Sequence, residues 1–138
     1  MKLKNLCPII VTEDPIGSRD FYIRHFGFSI VFEQDWYVHL VNQQTQLAFM
    51  VPNHPSQPPI FQAPWSGKGL ILNFEVEDAE GALASFDTTG VEIALPLTQE
   101  DWGEIHFAVR DPNGIVINVT QMTDATDEYA SSYVTEAV

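Results

Sequence analysis

The sequence has little cysteine and few basic residues, and each shortage argues against a class of protein. Among its 138 residues Cys7 is the only cysteine, so the chain cannot form an internal disulfide or a Cys-x-x-Cys zinc site. Six Lys and Arg stand against 19 Asp and Glu, which gives a net charge of −13. Such a charge repels phosphate groups and argues against nucleic acid as a partner, whereas it favours a cationic ligand.

Long apolar runs are lacking as well. No apolar stretch approaches the roughly 20 residues that cross a bilayer, and no signal-peptide cleavage site follows the start, MKLKNLCPIIVT. We therefore expect a cytoplasmic protein with no membrane partner. Apolar residues nevertheless make up 45% of the chain and aromatic residues 12%, which is enough to bury a core.

Apolar residues alternate with period two, which predicts strands, and the predicted elements form two similar sets. In the first half we predict a helix from Asp14 to Phe26 and strands at 5–12, 28–34, 36–42 and 45–51. In the second half we predict a helix from Asp78 to Gly90 and strands at 69–77, 91–97, 103–110 and 113–121. The sequence therefore predicts an α+β fold made of two duplicated βαβββ modules.

Five of the nine prolines fall in residues 52–68, which predicts a linker that is neither helix nor interior strand. We predict a single domain over residues 1–122, in which modules 3–51 and 69–122 are joined by this linker. An acidic tail follows at 123–138. The apolar linker residues Ile60, Phe61 and Trp65 suggest that the linker lies against the body, with Trp65 over an opening.

Short motifs in both modules are similar to those of a known superfamily. The first module carries Asp14, Ser18, Phe21-Tyr22 and Phe26-Gly27-Phe28, and the second carries Trp102-Gly103 and the closing segment FAVRDPNG at 107–114. Over residues 3–122 the chain resembles the vicinal oxygen chelate superfamily, which includes the glyoxalase I, bleomycin-resistance and extradiol dioxygenase families. The resemblance implies a sheet curled into a cup in each module, with helices outside and a ligand inside.

Metal-dependent members of that superfamily place His, Gln or Glu ligands on four strands. Counted from shared landmarks, those positions fall on Cys7, Phe49, Ile71 and Asn118. Phe and Ile cannot bind a cation, Asn is a weak ligand, and one thiol does not make a site. We therefore expect no metal, no cofactor and no metal-dependent catalysis, and the resemblance is closest in type to the metal-free bleomycin-resistance-like members.

The predicted cup strands carry aromatic and polar residues that could bind a ligand. We predict binding by Trp36, Tyr37, His39, Phe49, Asn73, Glu75, Trp102, His106 and Asn118. Aromatic faces in acidic surroundings favour a planar or cationic small molecule, which the protein would sequester without making or breaking a bond. The resemblance also implies a homodimer with its clefts at the subunit interface.

Two other functions stay open at this point. One is a metal-dependent lyase, isomerase or dioxygenase with displaced ligands such as His39, His106 and Glu75. The other is a protein–protein module in which the cup serves only as a dimer interface. The sequence also leaves open whether the modules pair within one chain or swap between chains.

Overall fold

The computed structural model describes residues 1–134, and its elements occur in the predicted order. The first module contains β1 (Ile9–Val11), α1 (Pro15–Phe26), β2 (Ser29–Glu33), β3 (Tyr37–Asn42) and β4 (Thr45–Met50). The second contains β5 (Ile71–Glu75), α2 (Ala79–Ser85), β6 (Ile93–Glu100), β7 (Glu104–Arg110) and β8 (Val116–Met122). A 3-10 turn, Pro59–Phe61, lies in the linker, and a short helix, α3 (Asp127–Ala130), lies in the tail. The predicted α+β fold of two βαβββ modules is confirmed.

Each module forms its own four-stranded mixed sheet. The strand orders β1-β4-β3-β2 and β5-β8-β7-β6 are equivalent. In both sheets the first and last strands of the module pair in parallel, and the remaining neighbours pair antiparallel. The chain divides into two compact units between Lys68 and Gly69, so the linker belongs to the first unit.

Both long helices begin with the same Asp-x-x-Gly arrangement. The side chains of Asp14 and Asp78 accept hydrogen bonds from the backbone N–H groups of Gly17 and Gly81, at 2.9 and 3.0 Å. A Cβ atom on either glycine would lie 2.1 or 2.4 Å from the capping carboxylate. Glycine therefore leaves room for the cap that satisfies the free N–H groups of the first turn.

Each helix packs on one face of the sheet of its own module. In the first module the buried Tyr22 ring of α1 lies 5.3 Å from the Phe49 ring and 5.7 Å from the Phe28 ring, centroid to centroid. In the second module the Phe86 ring, directly after α2, lies 6.0 Å from the Phe107 ring. Because side chains alternate along a strand, the residues on the opposite face of each sheet point away from these helices.

Several predicted boundaries were wrong. The first strand is shorter than 5–12, and Pro8 has no N–H group with which to extend the pairing. Helix α2 ends at Ser85, before Gly90, since the Asp87 side chain accepts from the backbone N–H of Thr89 and begins a turn. The tail residues 135–138 lie outside the described part of the chain. Within residues 1–134 no helix is long and apolar enough to span a membrane.

Candidate functional site

The first module holds a pocket of about 700 Å³ on the sheet face opposite α1. The strands and their connections contribute Cys7, Ile9, Val11, Phe32, Trp36, Tyr37 and Met50. The linker contributes Gln57, Ile60, Phe61 and Ala63. The lining contains no charged side chain, and a cavity of this size matches a drug-sized ligand.

Strand register decides which side chains face the pocket. Tyr37 on β3 is paired with Met50 on β4, and both line the pocket. Phe49 is one residue away and therefore faces α1, where its ring packs on Tyr22 and is fully buried. The sequence placed Phe49 in the cup, and the structure corrects this position: the open face of β4 carries Ala48 and Met50.

Three aromatic residues form one wall of the pocket. The Phe32 and Tyr37 rings lie 6.1 Å apart at 62°, and the Trp36 and Tyr37 rings lie 5.7 Å apart at 52°. Trp36 also stacks on the linker residue His54, with the ring centroids 4.1 Å apart and the ring planes 14° apart. Trp36 and Tyr37, both predicted from sequence, therefore lie together in this wall.

A small polar group lies beside the same wall. The Nε2 atom of His39 is 2.8 Å from Gln46 Oε1 and 3.6 Å from the Cys7 sulfur. Burial raises the pKa of the Cys7 thiol, and burial together with Cys7 raises the pKa of Tyr37. Both groups therefore stay protonated near neutral pH, and the protonated thiol is a poor nucleophile and metal ligand.

The linker borders the pocket, as its apolar residues suggested. The backbone N–H of Trp65 donates to the Val11 carbonyl at 2.9 Å and so anchors the linker to β1. Trp65 itself is not among the lining residues; Ile60 and Phe61 are. One sequence feature indicated this arrangement: the two large apolar residues Ile60 and Phe61 lie inside a proline-rich stretch.

The open face of the second sheet carries most of the remaining predicted residues. Asn73 is paired with Asn118, and the Asn118 Nδ2 atom donates to Asn73 Oδ1 at 2.7 Å. The Asn118 Oδ1 atom lies 2.8 Å from His106 Nδ1. Glu75, two residues after Asn73, is exposed on the same face. The structure therefore brings Asn73, His106 and Asn118 into one hydrogen-bonded group.

Sequence reasoning missed three members of this group. Glu104 Oε2 accepts from Thr120 Oγ1 at 2.7 Å, and Glu104 Oε1 accepts from the Trp102 indole N–H at 2.8 Å. Glu100 Oε2 lies 3.0 Å from His106 Nε2. A single Asp or Glu on a strand does not by itself indicate a binding site in the sequence. Glu100, moreover, lies beyond the predicted strand 91–97, which corresponds to β6.

Electrostatics hold this group in a charged state. Burial alone would lower the pKa of His106, but its hydrogen bonds with Asn118 and Glu100 and the nearby carboxylates outweigh burial and raise it. Burial alone would raise the pKa of Glu104, but hydrogen bonds from Thr120, Trp102 and Asn118, together with the His106 charge, lower it. The pair therefore favours an imidazolium beside a carboxylate.

Comparison with known proteins identifies the family. The family model described as Glyoxalase/Bleomycin resistance protein/Dioxygenase superfamily matches residues 6–119. The chain belongs to this superfamily. No curated protein sequence matches the chain. The vicinal oxygen chelate resemblance seen in the sequence is thereby confirmed.

Solved structures share the superfamily fold. TioX from Micromonospora sp. ML1 is 18% identical with a TM-score of 0.72, and the match covers 86% of this chain and 98% of that chain. TnmS3, an antibiotic binding protein from Streptomyces sp. CB03234, is 20% identical with a TM-score of 0.67, and the match covers 88% of this chain and 98% of that chain. Lactoylglutathione lyase from Agrobacterium tumefaciens is 18% identical with a TM-score of 0.69, and the match covers 84% of this chain and 91% of that chain. At these identities the likeness establishes the fold alone.

The residues at the superfamily's metal-ligand positions do not fit a divalent cation. Ile71 has no donor atom, Phe49 faces α1, and the Asn118 amide is engaged by His106 and Asn73. Within residues 1–134, no three or more His, Cys, Asp and Glu side chains are grouped so that they could hold a metal ion.

Proposed function

We propose that this superfamily member captures a planar, preferably cationic small molecule in the pocket of the first module and holds it unchanged, without a metal. One observation carries the proposal: four aromatic side chains, those of Phe32, Trp36, Tyr37 and Phe61, line a pocket of about 700 Å³. Flat ring systems stack on such walls, and a positive charge is attracted to the ring faces.

Charge supports the cationic preference. The pocket lining is uncharged, so at short range the aromatic faces, above all that of Trp36, distinguish a cation from an anion. At long range the net charge of −13 raises the local concentration of cations and repels anions. A planar cation is therefore favoured over a planar anion at both stages of binding.

The groups around the pocket support capture without reaction. The Cys7 thiol is kept protonated by burial, and the Tyr37 hydroxyl likewise. The amide of Gln57 is neutral, and the other lining residues offer apolar surface. The name of TnmS3 as an antibiotic binding protein is consistent with such a role in a protein of this fold.

The proposal includes a homodimer, as the resemblance implies. Support comes from β2, an edge strand of the first sheet whose apolar side chains Ile30 and Val31 are exposed. An exposed apolar edge is a surface that proteins commonly cover by association. Light scattering during size-exclusion chromatography tests the mass: twice 15.5 kDa is expected, and a mass of 15.5 kDa contradicts it.

Calorimetry tests the function directly on EDTA-treated protein. The probes are proflavine as a planar cation, 1-naphthol as a neutral planar ring and tetramethylammonium as a non-planar cation. We expect saturable binding of proflavine, weaker binding of 1-naphthol and no binding of tetramethylammonium. Binding that appears only after Zn²⁺, Ni²⁺, Mn²⁺ or Fe²⁺ is added would favour the enzymatic alternative instead.

A pair of tryptophan variants provides the matched control. Trp36→Leu removes a wall of the pocket, and we expect it to weaken proflavine binding by about tenfold or more. Trp102→Leu alters a tryptophan of the second module, outside the pocket, and we expect the affinity to stay within about twofold of wild type. Equal losses in both variants, or none in either, would contradict the placement of the site.

A further inference from the structure

Two side chains in the largely apolar lining of the pocket, Tyr37 and Gln57, carry polar atoms that the protein itself leaves unpaired. Within residues 1–134 the Tyr37 hydroxyl donates to no acceptor, and Gln57 Oε1 accepts from no donor. The Cys7 thiol, in contrast, is directed at the Pro8 carbonyl at 3.8 Å. A free donor and a free acceptor therefore border the same cavity, where water or a ligand must satisfy them.

Tyr37 is held by its ring and offers its hydroxyl as a donor. The ring lies 6.1 Å from that of Phe32 and 5.7 Å from that of Trp36, centroid to centroid. Burial, together with Cys7, raises the pKa of Tyr37, so the hydroxyl keeps its proton near neutral pH. A protonated phenol can donate one hydrogen bond to an acceptor on a ligand.

The orientation of the Gln57 amide follows from the residues behind it. The backbone N–H of Ser56 donates to His54 Nδ1 at 3.2 Å, so Nδ1 is an acceptor. The Ser56 hydroxyl, 2.7 Å from the same atom, directs its single proton there and leaves its oxygen free to accept. Gln57 Nε2 donates to that oxygen at 3.3 Å, which leaves Oε1 as the unpaired end of the amide.

The main chain of Gln57 is fixed as well. Its N–H donates to the His54 carbonyl at 3.0 Å, and its carbonyl accepts from the Gln62 side-chain amide at 2.8 Å. The acceptor oxygen is thus held in place before a ligand arrives, and this lowers the entropy that binding costs.

We propose that Tyr37 and Gln57 select the ligand by its polar edge: the Tyr37 hydroxyl donates to a carbonyl oxygen of the planar cation, and Gln57 Oε1 accepts from an N–H group of it. This inference rests on the proposed function and narrows the ligand class to planar cations that carry both groups, as a carboxamide does. A ligand that fills the pocket displaces water from both protein atoms. A ligand without the matching groups leaves these atoms unpaired and loses affinity.

Calorimetry with three planar cations tests the two contacts separately. 1-Methylquinolinium has neither polar group, its 3-methoxycarbonyl ester adds a carbonyl oxygen, and its 3-carbamoyl amide has both the oxygen and an N–H group. With wild type we expect the ester to bind about threefold to tenfold more tightly than the parent cation. The amide is expected to bind about threefold to tenfold more tightly than the ester.

Two variants assign each advantage to its residue. Tyr37→Phe keeps the ring and removes the hydroxyl, so the advantage of the ester over the parent cation should disappear. Gln57→Met keeps the length of the side chain and removes the acceptor, so the advantage of the amide over the ester should disappear while that of the ester persists. Tyr129→Phe, the matched control, removes a hydroxyl of α3 outside the pocket and should keep both advantages.

Each result is a ratio of two affinities in one variant, so a general change of the pocket cancels. If wild type binds the three cations equally, or if Tyr37→Phe and Gln57→Met keep both ratios, the selecting pair is wrong while the proposed function stands. If wild type binds none of the three cations and no proflavine, both are wrong.

Discussion

The Nδ1 atom of His106 lies 2.8 Å from the Oδ1 atom of Asn118, and the contact determines the charge of the imidazole. The Asn118 amide nitrogen donates to Asn73 and to Glu104, so its oxygen faces the ring as an acceptor. The other ring nitrogen, Nε2, faces the Glu100 carboxylate at 3.0 Å. Both nitrogens must therefore donate, and the ring that satisfies both partners is the imidazolium.

This arrangement predicts that the stability of the protein falls as the pH rises through the pKa of His106. The folded-state pKa is raised above the ordinary value, so the contribution of His106 is complete below about pH 6.5 and is lost at higher pH. Urea unfolding between pH 5 and 9 measures the free energy of unfolding. In His106→Gln this part of the pH dependence should vanish, whereas in the control His54→Gln it should persist.

Glu104 should contribute stability in the opposite direction of pH. Its folded-state pKa is lowered, so its contribution is present above the ordinary value of about 4.5 and is lost as the pH falls through the folded-state pKa. Glu104→Gln replaces one acceptor oxygen by an amide and leaves a buried donor without its partner. We expect a loss of about 1–3 kcal/mol at pH 7.

The control for Glu104 is the exposed Glu77, which lies in the loop before α2. Glu77→Gln removes the same charge and is expected to change the unfolding free energy by less than about 0.5 kcal/mol. A loss at Glu77 equal to that at Glu104 would show that net charge, and not the hydrogen-bonded network, controls stability.

The helix caps predict an unusual response to alanine. Gly→Ala within a helix commonly stabilises by up to about 1 kcal/mol, but at Gly81 the added Cβ would displace the Asp78 carboxylate. The lost cap costs about 1 kcal/mol, so Gly81→Ala should be close to neutral. In the Asp78→Ala background the same change should become stabilising, since the cap is already absent. Thermal unfolding of the four proteins measures this coupling, and equal effects in both backgrounds would contradict it.

Much of the fold could be predicted from the sequence because its signals are local. Asp14 with Gly17 and Asp78 with Gly81 mark helix starts, and Gly27 marks the end of α1 with its positive φ of 68°. The predicted end of α2 is wrong because glycine commonly ends a helix and Gly90 fits that pattern. The helix ends earlier, at Ser85, just before the turn that the Asp87 side chain forms. Local chemistry thus specifies where elements begin better than where they end.

The candidate site was harder to predict because its residues meet through register and tertiary contact. Trp36 and Tyr37 could be predicted because they are aromatic residues on a candidate cup strand. The side of the sheet to which Phe49 points depends on the register of β3 and β4, and an error of one residue in that register places Phe49 on the wrong side. The stack of His54 on Trp36 joins a linker to a strand and has no sequence pattern. The Glu100 and Glu104 contacts to His106 are likewise visible only once β6 and β7 are paired.

The position of the captured ligand is the central claim, and the three tryptophans provide separate reporters for it. Trp36 lines the pocket, Trp65 anchors the linker, and Trp102 lies in the second module. A ¹H–¹⁵N NMR titration of the EDTA-treated protein with proflavine follows the three indole N–H signals. We expect the Trp36 signal to move by far the most and the Trp102 signal to stay in place. Movement confined to Trp102, or no movement at saturating proflavine, would contradict the account.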